Sequence, residues 1–297
     1  MIRTTKIIAE AAALTHGGVF HADEVFASVI LSYTTDDFVV ARVFRVPQEC
    51  EKLVYDIGGG KYDHHQSDKE YRTNGLPYAA AGLIWRDFGT EALAQMGVEE
   101  EIRADVWAQI DDALIIGIDA LDNGVALEGK YDFISVSEII GSYNPLWDED
   151  RDADEAFLDA CAIADQIFRR LVYQKASEMR GKEYVKKAMK QASGRIVLLD
   201  RFVPWQRCVC TEDPEERFWY IVYPSHRGGY NVQCVPDAPD SFGMRHALPE
   251  EWRGLGKEEL REITGVEDAM FVHPAGFIGG ADSLEGALRM AEKAVAI

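Results

Sequence analysis

His16, His21 and Asp23 lie within eight residues of one another in the segment Thr15-His16-Gly17-Gly18-Val19-Phe20-His21-Ala22-Asp23-Glu24. Farther along, Asp63-His64-His65 repeats the same pairing of imidazole with carboxylate, and Asp56 stands between the two clusters after the apolar run Leu53-Val54-Tyr55. Mixed imidazole and carboxylate donors suit a site for two divalent cations. Oxygen ligands favour Mg²⁺ and Mn²⁺, and imidazole shifts the preference toward Mn²⁺. Asp56 is the natural bridging ligand, because a carboxylate has lone pairs for two cations at once. Gly58-Gly59-Gly60 just beyond it lets a phosphate approach the backbone closely. In extended chain Asp63 and His65 point one way and His64 the other. One histidine therefore ligates, while the other contacts substrate or protonates a leaving group. Asp119 or Asp122, in Asp119-Ala120-Leu121-Asp122-Asn123-Gly124, closes the second metal's shell.

The elements that must position these groups alternate between strand and helix. Ala11 to Thr15, Phe38 to Phe44 and Leu53 to Ile57 read as strands, and the Asp23 to Tyr33 segment reads as a helix from Val25, Phe26, Val29, Ile30 and Tyr33. Tyr78 to Phe88 and Ile102 to Ile110 follow as helices. The continuous apolar run Ala113 to Ile118 reads as a buried parallel strand. On this reading every His/Asp cluster sits beyond the carboxyl end of a strand, where open α/β sheets bind ligands.

From Asp152 to Gln191 there is no proline, and Phe157, Cys161, Ala164, Phe168, Leu171 and Val172 keep helical rhythm, so a long helix with a break near Gly181 is expected. The remainder is β-rich at Arg195 to Leu199, Phe218 to Tyr223 and Tyr230 to Val235, the last two joined as a hairpin. An amphipathic helix over Leu284 to Val295 closes the chain. The expected architecture is α/β in three parts: a parallel-sheet catalytic domain over 1–151, a connecting helix over 152–192, and a smaller α/β substrate-binding domain over 193–297.

Charge is uneven along the 297 residues. Residues 1–150 hold 11 Lys+Arg against 27 Asp+Glu, a net of −16, and residues 151–297 hold 20 against 24, a net of −4, which sum to −20. Within the second half, residues 166–207 carry 11 basic and three acidic side chains, a net of +8 and a candidate phosphate track. No apolar stretch approaches the ~20 residues that span a bilayer. Met1 to Lys6 is too short for an Arg-rich targeting helix, so the expected compartment is the cytoplasm. Five cysteines without a CxxC pair are expected as reduced thiols. Cys208 and Cys210 would point the same way on a strand.

At this point the residues carry a resemblance. The run from Thr15 to Glu24, Asp56-Ile57-Gly58-Gly59, Asp63-His64-His65-Gln66, Ala80-Ala81-Gly82-Leu83-Ile84-Trp85 and Ile118 to Gly124 resemble the Myg (melanocyte-proliferating-gene) family. Segments 228–233, 245–255 and 271–280 continue the likeness, which covers nearly the whole chain in order. That family is similar to the DHH phosphoesterases, among them RecJ-type exonucleases and family II pyrophosphatases. The resemblance implies a DHH-like catalytic domain and a Mn²⁺-preferring hydrolase, with eukaryotic relatives acting as 3′–5′ RNA exonucleases. Carried over by position, Asp23, Asp56 and His64 match metal ligands, His21 stands where those enzymes usually have Asp, and His16 sits about one residue upstream of the pyrophosphatase ligand. The fourth motif falls on Asp119 or Asp122.

The second half resembles the family's substrate-holding domain. There Arg227, Arg245 and Arg253 offer bidentate phosphate contacts, and His226 and His273 offer donors. Gly279-Gly280, expected directly before a helix, would aim free N–H groups at an anion. The implied enzyme holds two Mn²⁺ (or Mg²⁺) ions on His16, His21, Asp23, Asp56, His64 and Asp119 or Asp122. Its site lies in the cleft between the domains, and His65 serves the leaving group. The expected partner is single-stranded RNA or an oligonucleotide. The rivals are a small nucleotide or pyrophosphate, and a non-catalytic metal- or nucleotide-binding regulator. The sequence leaves the oligomeric state open, a homodimer included.

Overall fold

A computed structural model describes residues 2–125 and 133–297. The chain divides into two compact units, Met1–Ser177 and Glu178–Ile297, each built on its own sheet.

In the first unit β1 (Arg3–Thr5), β2 (Ala13–His16), β3 (Val39–Val43) and β4 (Leu53–Val54) form a parallel sheet in the order β1-β3-β2-β4. Helix α1 (Ala22–Thr34) makes the crossover from β2 to β3 that parallel pairing demands. Ala13, Leu14 and Thr15 are all buried, which is why β2 reads as an unbroken apolar run. β2 pairs with β3 on one side and β4 on the other, so the carboxyl ends of β2 and β4 open side by side. These two ends deliver His16 and Asp56.

Helices α2 (Ala80–Gln95), α3 (Glu100–Ile110), α4 (Ile116–Asp122), α5 (Val136–Gly141) and α6 (Ala153–Gln191) complete this part of the chain. Trp85 of α2 is fully buried, stacks on Trp107 with ring centroids 5.9 Å apart, and meets Phe168 of α6 edge-on at 5.7 Å. The expected strand over Ala113 to Ile118 is instead a π-turn, Asp111–Ile115, running into α4. Periodicity could not separate the two, because a short helix packed by α1, α2 and α5 hides most of its faces and shows no polar stripe. Asp119 and Asp122 are therefore helical residues rather than residues of a loop after a strand. The expected break near Gly181 is also absent: α6 runs unbroken for 39 residues. One glycine in such a helix costs only about 1 kcal/mol.

In the second unit β5 (Ile196–Leu198), α7 (Gln206–Glu212), β6 (Tyr220–Pro224), β7 (Tyr230–Cys234), α8 (Lys257–Thr264), β8 (Ala269–Val272), β9 (Ile278–Ala281) and α9 (Leu284–Ala296) follow in order. The sheet runs β5-β6-β7-β9-β8, with β5 parallel to β6 and the other pairs antiparallel. β6 shows the period of two: Tyr220 and Val222 join Trp252, Leu260 and Met290 on one face, while Ile221 and Tyr223 join Val185, Trp205 and Phe218 on the other. Cys208 and Cys210 lie on α7 rather than a strand, and all five cysteines are free thiols.

Gly279 and Gly280 do not precede a helix directly. They lie in β9, paired with β7 on one side and β8 on the other, and α9 starts only at Leu284 behind its Ser283 cap. A Cβ at Gly280 would sit 2.7 Å from the Tyr230 carbonyl oxygen. Gly280→Ala is therefore expected to destabilise the second unit by about 1–3 kcal/mol, read as a lower urea midpoint. An unchanged midpoint would show that the strands part without cost. Among the described residues no helix is long and apolar enough to cross a membrane.

Candidate metal centre

The turn from β2 to α1 is held from behind. Gly18 adopts φ +89°, and its carbonyl accepts from Nη2 of Arg42 at 2.6 Å. Arg42 is buried, salt-bridged to Asp154 at 3.0 Å, with its guanidinium 4.5 Å from the Phe157 ring centroid. Asn144 clamps Phe20 by accepting from its N–H at 2.9 Å and donating to its carbonyl at 2.8 Å. His21 then caps α1, its N–H donating to Oε2 of Glu24 at 2.8 Å. That capping box aims Glu24 back at the sheet, where its Oε1 lies 2.9 Å from Nε2 of His16.

Asp56 follows β4 in the left-handed region, at φ +57°, and its N–H donates to the Tyr62 carbonyl at 2.9 Å. Strained backbone of this kind persists only where surroundings enforce it, and it gathers at working sites. The turn presents Asp56 Oδ2 to His16 Nε2 at 3.1 Å and Oδ1 to His64 Nε2 at 3.2 Å. His64 Nε2 also lies 2.9 Å from Asp122 Oδ2 and 3.7 Å from Asp23 Oδ2. His65 points outward, and its Nδ1 donates to Asp63 Oδ1 at 2.9 Å.

Among the described residues four overlapping sets could each hold an ion, with ligand atoms mutually within 4.8 Å: His16/His21/Glu24, Asp56/His64/His65, His21/Asp23/Asp122 and Asp23/Glu24/Asp56. Asp23 and Glu24 are wholly buried, and neither carboxylate oxygen of Asp23 has a hydrogen-bond partner. Buried unpaired carboxylates are costly unless a cation sits on them, so the donor set fits divalent ions. Burial, with Asp56, Glu24 and Asp122 nearby, pushes Asp23 well above the usual carboxylate range.

Burial opposes the charged form of His16, but hydrogen bonds to Asp56 and Glu24 win and raise it to about 10. His64 likewise rises to about 10 against its burial, through Asp122 and Asp56. Asp56 is also opposed by burial, yet it is held below the usual range by the two histidines. These imidazoles titrate near 6.5 when unfolded, so the stability they contribute is complete below that pH and is lost as pH rises toward 10. Chelator-treated protein is accordingly expected to melt at progressively lower temperature between pH 6.5 and 10. A flat Tm across this window would show that the cluster is unpaired without metal.

The structure thus gathers His16, His21, Asp23, Asp56, His64, His65 and Asp122. Asp119 faces elsewhere: its Oδ2 accepts from Arg72 Nη2 at 2.7 Å and Nε at 3.0 Å, and its Oδ1 accepts from the Gly82 N–H at 2.9 Å. Sequence reasoning passed over Glu24, which looked like an acidic residue of the helix's first turn. The capping-box spacing His21-x-x-Glu24 was the available signal.

The second-unit candidates stand as follows. The Arg245 side chain is buried and tied to Asp213 at 2.6 Å, so its charge is matched without an anion. Arg253 Nε donates to the Leu248 carbonyl at 2.9 Å. His226 and Arg227 are exposed in the β6–β7 turn, with the His226 ring 5.7 Å from Phe202. His273 is exposed and accepts at Nδ1 from the Ala275 N–H at 3.1 Å. The N–H groups of Gly279 and Gly280 belong to a strand paired on both edges, so they form no anion-binding helix start.

Comparison with known proteins finds relatives along nearly the whole chain. The family model MYG1_exonuc, "Uncharacterised protein family (UPF0160)", matches residues 12–295. MYG1 protein C694.04c of Schizosaccharomyces pombe is 32% identical over 317 residues, covering 95% of this chain and 96% of its own. The human MYG1 exonuclease is 32% identical over 330 residues, covering 98% of this chain and 88% of its own. MYG1 protein YER156C of Saccharomyces cerevisiae is 30% identical, with 95% of each chain covered. A match of this extent, in order and through both units, shows that the chain belongs to the MYG1_exonuc family.

Proposed function

We propose that this protein is a metal-dependent phosphodiesterase of DHH type that trims single-stranded RNA from its 3′ end, using two divalent cations with Mn²⁺ preferred over Mg²⁺. The observation that carries the reading is the buried cluster in which Asp56 faces His16 with one oxygen and His64 with the other. Four carboxylates, Asp23, Glu24, Asp56 and Asp122, match the charge of two divalent ions. The human and rat relatives bear the name exonuclease, which supports the same reaction class here.

The residues that would hold the ions are His16, His21, Asp23, Glu24, Asp56, His64 and Asp122. Bound cations would supply Lewis acidity toward phosphate oxygens and acidify water at the site. The chain's own contribution is placement. Arg42 and Asn144 fix the turn that sets His16 and His21, and Asp56 spans the two halves of the donor set. Asp63 accepts from both the N–H and Nδ1 of His65, fixing the ring with Nε2 outward. From Nε2 a proton passes to the departing ribose oxygen as the P–O bond breaks.

The net of −16 over residues 1–150 favours a second reading, hydrolysis of small nucleotides or pyrophosphate, since long polyanions feel summed charge more strongly. Purified protein with Mn²⁺ should be given 5′-labelled single-stranded RNA, dinucleotides and pyrophosphate in separate reactions. A ladder shortened from the 3′ end is the expected result. Action on the short substrates alone selects the second reading. Metal binding without any turnover leaves a regulator and defeats both.

A further inference from the structure

Two cavities share residues with the metal centre, and their chemistry differs. One, of about 340 Å³, is bordered by Lys61, Lys69, His64, Asp63, Asp68 and Glu70. The other, of about 200 Å³, is bordered by the donor set His21, Asp23 and Asp122 together with Ile118, Leu121 and Ser137. Among the described residues no lysine or arginine lines the smaller cavity, and Glu138 at its edge is a further carboxylate, already spent on capping Ser135. A phosphate has no partner there beyond a cation on the donor set. The apolar wall of Ile118 and Leu121 instead suits an uncharged planar group. Ser137 Oγ, buried without a hydrogen-bond partner, suits that group's polar edge. In the larger cavity Lys69 donates to Asn123 Oδ1 at 2.8 Å and Lys61 is tied to Asp87 at 2.6 Å, and Asp63, Asp68 and Glu70 outnumber the two lysines.

We infer that the smaller cavity receives the base of the substrate's terminal nucleotide. This rests on the phosphodiesterase reading and adds to it a place for the heterocycle, in an apolar-walled cavity beside the donor set.

The test compares binding of AMP and of ribose 5-phosphate to Mn²⁺-loaded protein by calorimetry. Burying the heterocycle is expected to give AMP an advantage of about tenfold or more. Leu121→Trp and, separately, Ser137→Phe fill the cavity from two walls. Each should bring AMP down to the level of ribose 5-phosphate, with ribose 5-phosphate and Mn²⁺ binding unchanged. Equal or absent binding of the two ligands by the unaltered protein, or an AMP advantage that survives both variants, overturns the inference. Because this assay needs no turnover, an inert protein that still prefers AMP sinks the exonuclease reading alone.

Discussion

Asp56→Asn is expected to lower metal-dependent phosphodiester hydrolysis by a factor on the order of a thousand or more while leaving the fold intact. Both oxygens of Asp56 are committed to opposite sides of the cluster, at 3.1 Å from His16 and 3.2 Å from His64. An amide keeps the shape but surrenders the charge and one of the two acceptor atoms. The backbone supports the comparison, because Asn accepts the left-handed conformation at φ +57° as readily as Asp does. Turnover of labelled RNA, Mn²⁺ calorimetry and far-ultraviolet circular dichroism on the same preparation separate the effects. Native secondary structure with weakened metal binding and lost turnover is the expected set. Retained turnover removes Asp56 from the bridging role.

The largest effect on stability is expected from Arg72→Met. Arg72 is buried between two carboxylates, Asp111 at 2.5 Å and Asp119 at 2.7 Å, with its guanidinium 4.4 Å from the Tyr78 ring centroid. The π-turn at Asp111–Ile115 widens the helix just before α4 and lets both acids face the one arginine. Burial pushes Asp119 up to about 6 while Arg72 pulls it back, so at neutral pH it remains an anion that needs its partner. Removing the cation strands two buried charges, a loss of about 3–5 kcal/mol. Combining Arg72→Met with Asp111→Asn and Asp119→Asn should recover part of it in urea titrations. A loss below about 1 kcal/mol, the scale of exposed pairs, would mean that water already reaches the clamp. Mn²⁺ affinity should fall in the single variant as well, because α4 also carries Asp122.

Much of the first unit was legible in the sequence. Strands β2 and β3 and helices α1, α2 and α3 follow from apolar period and end signals, and their edges fell within a few residues except that α2 runs on to Gln95, seven residues past the expected Phe88. The donors His16, Asp56 and His64 stood out because glycines and strand ends framed them. The choice between Asp119 and Asp122 was not legible. Three residues apart on a helix they diverge enough to serve different partners, and only packing decides which one meets His64. Reading α4 as a strand had the same origin: a helix wrapped on most sides loses the polar stripe that reveals its period. In the second unit Gly279-Gly280 was misread because a glycine pair signals a close approach without saying to what. Here the neighbours are the Phe271 and Tyr230 carbonyls rather than a phosphate. Glu24 was hidden by its neighbour Asp23, since consecutive acids at a helix start are ordinary.

The unbroken α6 has a consequence for how the molecule comes apart. At 1.5 Å per residue, its 39 residues make a rod of about 58 Å. Phe157 and Phe168 are buried along its first part, and Val185 and Met189 along its last. Neither compact unit can melt without stripping apolar cover from its own stretch of that rod, and a helix–coil junction inside it is a costly place to stop. Within each unit, loss of the core and fraying of that unit's own stretch of α6 are therefore one event.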